Sequence, residues 1–244
     1  MQSKSIIIES GNNKLAATLA LPEGEVNGAL LRIGGGYLAS HKPNNWQPRL
    51  AKAGISSLAF DFAGVGDSSG KLEDTNLNTR TIDATSVLDY LYNYLGKKIK
   101  ISLLGVSMGA PIAIQLAQNN RVAGLIIAVA GAYPKESFSK NFGEGFSRAI
   151  RKEGAWQSTQ EFNRLQKLSI PIMLVNAKQD DVVPKEITKK YSQIVKAKNG
   201  SIIEYNTIHQ FMRSDNEHKN LEIIENFWSS VTNFIKKNTH IDHK

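Results

Sequence analysis

The chain has 244 residues, 41% hydrophobic and 21% charged, which suits one globular domain with a sizeable core, or one domain with a small insertion. The absence of cysteine excludes a disulfide framework and a thiolate zinc site, and no uninterrupted apolar run approaches the ~20 residues of a membrane span. The net charge of +8 is divided among short lysine clusters (Lys97-Lys98, Lys189-Lys190, Lys196-Ala197-Lys198, Lys236-Lys237) with no interleaved aromatic residues, so it reads as solvated surface rather than as a nucleic-acid site.

The first residues, Met1-Gln2-Ser3-Lys4-Ser5, lack the apolar stretch of a signal peptide, and the expectation is a cytoplasmic protein. Ile6-Ile7-Ile8 and the run 15–21 predict a hairpin around Gly11-Asn12-Asn13. A buried strand over 29–33 ends in Gly34-Gly35-Gly36. A helix follows over 45–53, closed by Gly54, and then a strand over 55–60. The segment 78–95 has a mostly helical period at Ile82, Val87, Leu88, Leu91 and Leu95 and stops at Gly96.

A β-branched and apolar run over 99–104 then meets Gly105-Val106-Ser107-Met108-Gly109, and a helix-compatible stretch follows over 110–118. A strand, a sharp turn and a helix would hold Ser107 in a strained conformation with its hydroxyl clear of the sheet. The small residues on either side let strand and helix approach closely. Further strands are expected over 122–129, 170–175 and 201–205, and a last helix over 221–235. Strands alternating with helices predict the α/β class, with mostly parallel strands and helices on both faces. Ligands on such sheets bind beyond the carboxyl ends of the strands. The interval 134–169 has no evident strand but carries Phe138, Phe142, Phe146, Trp156 and Phe162. A structureless loop of that length is improbable, so a small, mainly helical insertion over the active site is expected.

A serine hydroxyl is a weak nucleophile and needs a base, and the base needs a partner that fixes its tautomer. Two segments supply them. Asn176-Ala177-Lys178-Gln179-Asp180-Asp181-Val182-Val183-Pro184 follows one strand and offers Asp180 as the acid, with Asp181 as its rival, whose side chain could instead cap the next helix. Thr207-Ile208-His209-Gln210-Phe211 follows the last strand. The chain order serine, aspartate, histidine is that of a strand-turn-helix nucleophile.

Five pieces together, Gly34-Gly35-Gly36-Tyr37, Asp61-Phe62-Ala63-Gly64-Val65-Gly66-Asp67-Ser68, Gly105-Val106-Ser107-Met108-Gly109, Asp180-x-x-Val183-Pro184 and His209-x-Phe211, resemble the α/β-hydrolase superfamily. The chain is similar to its dienelactone hydrolase-like and serine aminopeptidase-like esterases over nearly its whole length. The resemblance implies an α/β-hydrolase core, here 1–133 and 170–244, around the interval 134–169 read above as a small lid. It implies Ser107 as nucleophile, His209 as base and Asp180 as its orienting acid, with the backbone amides of Tyr37 and Met108 as oxyanion donors. Gly35 stands where the family often has histidine, and Ala63 where it often has arginine, which leaves the mouth and the substrate open.

The resulting expectation is a serine hydrolase of carboxylic esters with a small-molecule substrate, no cofactor, no metal, no nucleic-acid partner and no membrane partner. Phe142, Phe146 and Trp156 are expected to line the acyl site. Thioesters, lactones and peptides fit the same chemistry, and a non-catalytic ligand-binding protein is the reading from another class. The oligomeric state stays open. His41 reads as an exposed loop histidine, and His218, His240 and His243 as exposed or disordered, while Asp61 and Asp67 are expected to bond loop amides.

Overall fold

The computed structural model describes residues 1–42, 45–212 and 220–239. One eight-stranded sheet runs through it, in the order β1-β2-β4-β3-β5-β6-β7-β8. Strands β1 (Gln2–Ser10) and β2 (Asn13–Leu21) form the antiparallel hairpin expected at the start, and β2 is also antiparallel to β4 (Ile55–Phe60). Strands β3 (Gly28–Ile33), β4, β5 (Ile101–Val106), β6 (Val122–Ala128), β7 (Ile172–Ala177) and β8 (Ser201–Tyr205) pair in parallel. Every residue of β4, β5 and β7 is buried, as parallel strands covered on both faces require.

Side chains along these strands feed two cores in turn. Leu31, Leu103, Leu125 and Leu174 point to one face, where helices α2 (Leu77–Leu95), α3 (Gly109–Leu116) and α6 (Lys185–Ala197) close over them. Leu30, Leu104, Ile126 and Met173 point to the other, covered by α1 (Trp46–Lys52) and the last helix, α7 (Leu221–Thr239). Trp46 of α1 stacks on Trp228 of α7 at 5.0 Å between ring centroids, which ties the two helices together.

Local chemistry explains the element limits. Helix α2 starts at a reciprocal cap: Thr79 N donates to Asn76 Oδ1 at 3.0 Å, and Asn76 N donates to Thr79 Oγ1 at 2.8 Å. Its inward face is Leu77, Arg80, Ala84, Val87, Leu88 and Leu91, while Ile82, read as part of the apolar period, is 57% exposed. Strands β5 and β7 each begin two residues later than expected and run two further, to Val106 and Ala177. Pro171 has no N–H to give a ladder, so it precedes β7 instead of joining it. The interval 134–169 contains helices α4 (Glu144–Arg151) and α5 (Glu161–Lys167) with two short 3-10 turns, and no strand.

Candidate active site

The turn between β5 and α3 holds Ser107 at φ 52°, in the left-handed region, where a non-glycine residue costs on the order of 1–3 kcal/mol. Three backbone hydrogen bonds keep it there. Ser107 N donates to Ala128 O at 2.9 Å, and Ser107 O accepts from Ala110 N at 3.1 Å and Gly131 N at 3.2 Å. The flanking glycines make the turn possible by close approach. A Cβ on Gly105 would lie 2.6 Å from that of Ala113, and one on Gly109 would strike the carbonyl oxygens of Ile33 and Gly34.

The acid and the histidine arrive from adjacent strands. Beyond the ends of β7 and β8, Lys178 N donates to Tyr205 O at 2.9 Å and Gln179 N to Thr207 O at 3.0 Å. These bonds bring the two following loops side by side. Phe211, fully buried, anchors the second loop against Phe227 at 5.6 Å. His209 Nε2 then lies 2.9 Å from Ser107 Oγ, and His209 Nδ1 lies 2.8 Å from Asp180 Oδ2. The other oxygen of Asp180 accepts from Val182 N and Val183 N, both at 2.9 Å. Burial raises the Asp180 pKa, but the hydrogen bonds from His209 and from the amides of Val183 and Val182 outweigh it and leave the carboxyl below its ordinary range. An ionised Asp180 so placed makes Nδ1 the protonated nitrogen and leaves Nε2 free to accept.

Asp181, its neighbour, is exposed, and α6 begins without a side-chain cap, so the capping role read for Asp181 is not taken up. His41 also differs from expectation. Its side chain is only 12% exposed, with Nδ1 2.6 Å from Asp61 Oδ2 and Nε2 3.1 Å from Asp67 Oδ2. Asp61 accepts from the amides of Ser40, His41 and Asp67 as loop chemistry predicted, but Asp67 turns its own carboxylate to the histidine. His218, His240 and His243 lie outside the described residues.

The glycine loop after β3 meets the turn at Gly35, where an added Cβ would fall 2.9 Å from Ser107 Cβ and 3.4 Å from Met108 N. The next two amides are those of Gly36 and Tyr37. Gly36 has φ 60°, a left-handed bend that turns the loop out of the strand. Phe142 meets the Tyr37 ring edge-on at 5.2 Å and packs on Phe146 at 4.9 Å; Phe146 is fully buried. Trp156 lies further along the chain, 6.1 Å from Phe162. Leu38, Val182 and Ile208, each within two residues of Tyr37, Asp180 or His209, are exposed apolar side chains.

Sequence reading missed one residue here. Arg80 of α2 is fully buried, and its Nη1 donates to Gly36 O at 2.6 Å. Its signal was present, since it falls on the apolar period of α2 at Leu77, Ala84, Val87 and Leu91, where a cation is out of place. Among the described residues no group of three or more histidine or acidic side chains is placed to hold a metal ion.

A family model described as alpha/beta hydrolase fold matches residues 28–154. No curated protein sequence matches the chain. An esterase of Pyrococcus furiosus, Pf2001, superposes with a TM-score of 0.71 at 19% identity, covering 98% of this chain and 93% of its own. Est1E of Butyrivibrio proteoclasticus, solved with ferulic acid bound, gives 0.71 at 19% identity over 96% of this chain and 98% of its own. An alpha-beta serine hydrolase homologue from Coxiella burnetii gives 0.62 at 22% identity over 94% and 97%. At these identities the likeness is one of fold. With a family model matched over just over half its length, the chain belongs to the α/β-hydrolase fold family.

Proposed function

We propose that this protein is a serine hydrolase that cleaves carboxylic esters through an acyl-enzyme. The observation that carries the reading is the relay from Asp180 through His209 to Ser107, at 2.8 and 2.9 Å. Ser107 Oγ attacks the ester carbonyl carbon while its proton passes to His209 Nε2. The carbonyl oxygen becomes an oxyanion, held by the amide of Met108 and by the glycine-loop amide of Tyr37. The tetrahedral intermediate collapses, the bond to the leaving oxygen breaks, and the imidazolium returns its proton to that oxygen. Water repeats the sequence on the acyl-enzyme and restores the serine. Each preorganised oxyanion donor is worth about 3 kcal/mol of barrier. Asp180 stays ionised and stabilises the imidazolium.

The segment 134–169 is read as a lid whose Phe142, Phe146 and Trp156 set acyl preference. The apolar side chains of Leu38, Val182 and Ile208 favour an apolar acyl group at the mouth. A thioester, lactone or peptide would use the same steps, and nitrophenyl esters of rising acyl length, tested against those substrates, separate them. No nucleic-acid partner, membrane partner or cofactor enters the reading.

The test is labelling by a fluorophosphonate probe together with turnover of nitrophenyl acetate. Wild-type protein is expected to be labelled and active. Ser107→Ala is expected to fold, escape labelling and lose turnover, and His209→Ala to lose about as much rate, because such residues act as a unit. A folded Ser107→Ala variant that keeps wild-type turnover would remove Ser107 as the nucleophile. An unlabelled, inactive wild type would favour the ligand-binding reading.

A further inference from the structure

Arg80 is costly where it stands. A guanidinium has five N–H donors and no acceptor, and this one is fully buried. Of its nitrogens only Nη1 has partners, Gly36 O at 2.6 Å and Met108 Sδ at 3.5 Å. Nε and Nη2 have no hydrogen-bond partner. Aromatic faces surround the cation instead: the rings of Phe142, Phe62 and Tyr37 lie 4.4, 4.7 and 5.5 Å from its central carbon. Burial pushes its pKa down to about 10, with Tyr37, Asp83 and Tyr133 pulling the other way, so it is a cation at neutral pH. A buried charge with so few partners is a poor way to gain stability, since an apolar side chain of similar volume commonly does as well or better.

Its one strong bond lands on a peptide group that matters. The Gly36 carbonyl belongs to the same residue as the Gly36 amide and to the same peptide plane as the Tyr37 amide. That peptide is trans, so the Tyr37 N–H points to the edge opposite the carbonyl. Whatever fixes the carbonyl fixes the direction of the N–H. A cation on the carbonyl oxygen also draws electron density through the amide, which makes the N–H a stronger donor. Gly36 is at φ 60°, and glycine is the residue with the most backbone freedom, so a bond on its carbonyl restrains a peptide that could otherwise turn.

We propose that Arg80 is a positioning residue for the oxyanion hole, orienting and polarising the Gly36–Tyr37 peptide so that the glycine loop presents its donor to the developing oxyanion. The inference rests on the hydrolase reading above. It assigns to a helix residue, 44 positions from the carbonyl it binds, a part in setting the transition state.

The test compares wild type, Arg80→Met and Arg80→Lys in turnover of nitrophenyl acetate, thermal unfolding, and inhibition by a trifluoromethyl ketone that forms a tetrahedral adduct on serine. Arg80→Met is expected to be as stable as wild type. Its kcat is expected to fall roughly tenfold to a hundredfold, less than the 10²–10³ that follows loss of a donor outright, with KM unchanged. The inhibition constant for the ketone is expected to rise by the same factor. Arg80→Lys, which keeps a charge but not the reach, is expected to fall between, and it decides alone by the same measures if Arg80→Met does not fold. Wild-type kcat in a folded variant would overturn the proposal. So would a rise confined to KM, a slower rate with unchanged ketone affinity, or losses of rate and stability that run in parallel. If wild-type protein neither labels with fluorophosphonate nor turns over the ester, the hydrolase reading falls and takes this one with it, a result separate from the others.

Discussion

Asp180 and Asp181 are adjacent and chemically identical, and the fold gives them opposite surroundings. One carboxylate is held by a histidine and two amides; the other faces solvent. Asp180→Asn is therefore expected to cost several powers of ten in kcat, because the amide favours the wrong tautomer of His209, while Asp181→Asn stays near wild type. The reverse ranking in steady-state kinetics would move the orienting role. The lowered pKa of Asp180 carries a further consequence with a definite sign. A depressed folded-state pKa contributes stability that is present above the ordinary value of 3.8 and is lost as pH falls through the folded value. Asp180→Asn has no such contribution to lose. The gap in unfolding free energy between wild type and Asp180→Asn is expected to be wider at pH 7 than in acid below the carboxylate range. An equal gap at both pH values, from urea unfolding, would place the stabilising hydrogen bonds elsewhere. The sequence pointed to Asp180, four residues before Pro184, with Asp181 as its rival, since either side chain of a loop can turn inward. The turn at Ser107 was legible because its strand, glycines and helix are contiguous in the chain.

At the scale of elements, the segment 134–169 is bound to its neighbours through rings. Phe142 bridges Tyr37 and Phe146, and Phe146 reaches Tyr133 at 6.1 Å. Trp156 and Phe162 continue to Tyr191 of α6, which donates its hydroxyl to Gly131 O at 2.9 Å. The three aromatic residues proposed to set acyl preference thus differ in position. Phe142 is the one among them that touches the glycine loop, and its replacement by alanine is expected to lower the octanoate-to-acetate ratio of kcat/KM the most, at about 0.8 kcal/mol per methylene left uncovered. Phe146→Ala, in a fully buried site, is expected to destabilise by about 3–5 kcal/mol. A ratio unchanged in the Phe142, Phe146 and Trp156 variants would make the segment packing alone. The helical character of 134–169 was legible from its length and its lack of strand pattern. The order of its aromatic contacts was not, because ring partners come from segments as far apart as Tyr37 and Tyr191.

For the molecule as a whole, the parallel sheet sorts charge as well as chemistry. Tyr37, Ser107, Met108, Asp180 and His209 each lie beyond the carboxyl end of a strand, and Arg80 lies on a helix that follows one. Lys97 and Lys98 precede β5, Lys196 and Lys198 precede β8, and Lys236 and Lys237 end α7, so these cations collect at the amino edge. Helix C-termini gather at that edge, and their dipoles favour positive charge there. Glutamine at Lys97, Lys98, Lys236 and Lys237 together is expected to leave kcat/KM unchanged. Wild-type protein is expected to give no DNA mobility shift at physiological salt. A shift that survives that salt and vanishes in the glutamine variant would reveal a polyanion site. No helix among the described residues is long and apolar enough to cross a membrane. The α/β alternation, the serine turn and the serine–aspartate–histidine order were all determined by the sequence, because each is written in contiguous residues or in chain order. Tertiary structure alone decided that His41 is held between Asp61 and Asp67 and that Arg80 lies under the glycine loop. Those pairings join residues 20 to 44 positions apart, and only the packing of strands and helices against one another determines which side chains at such separations come within reach.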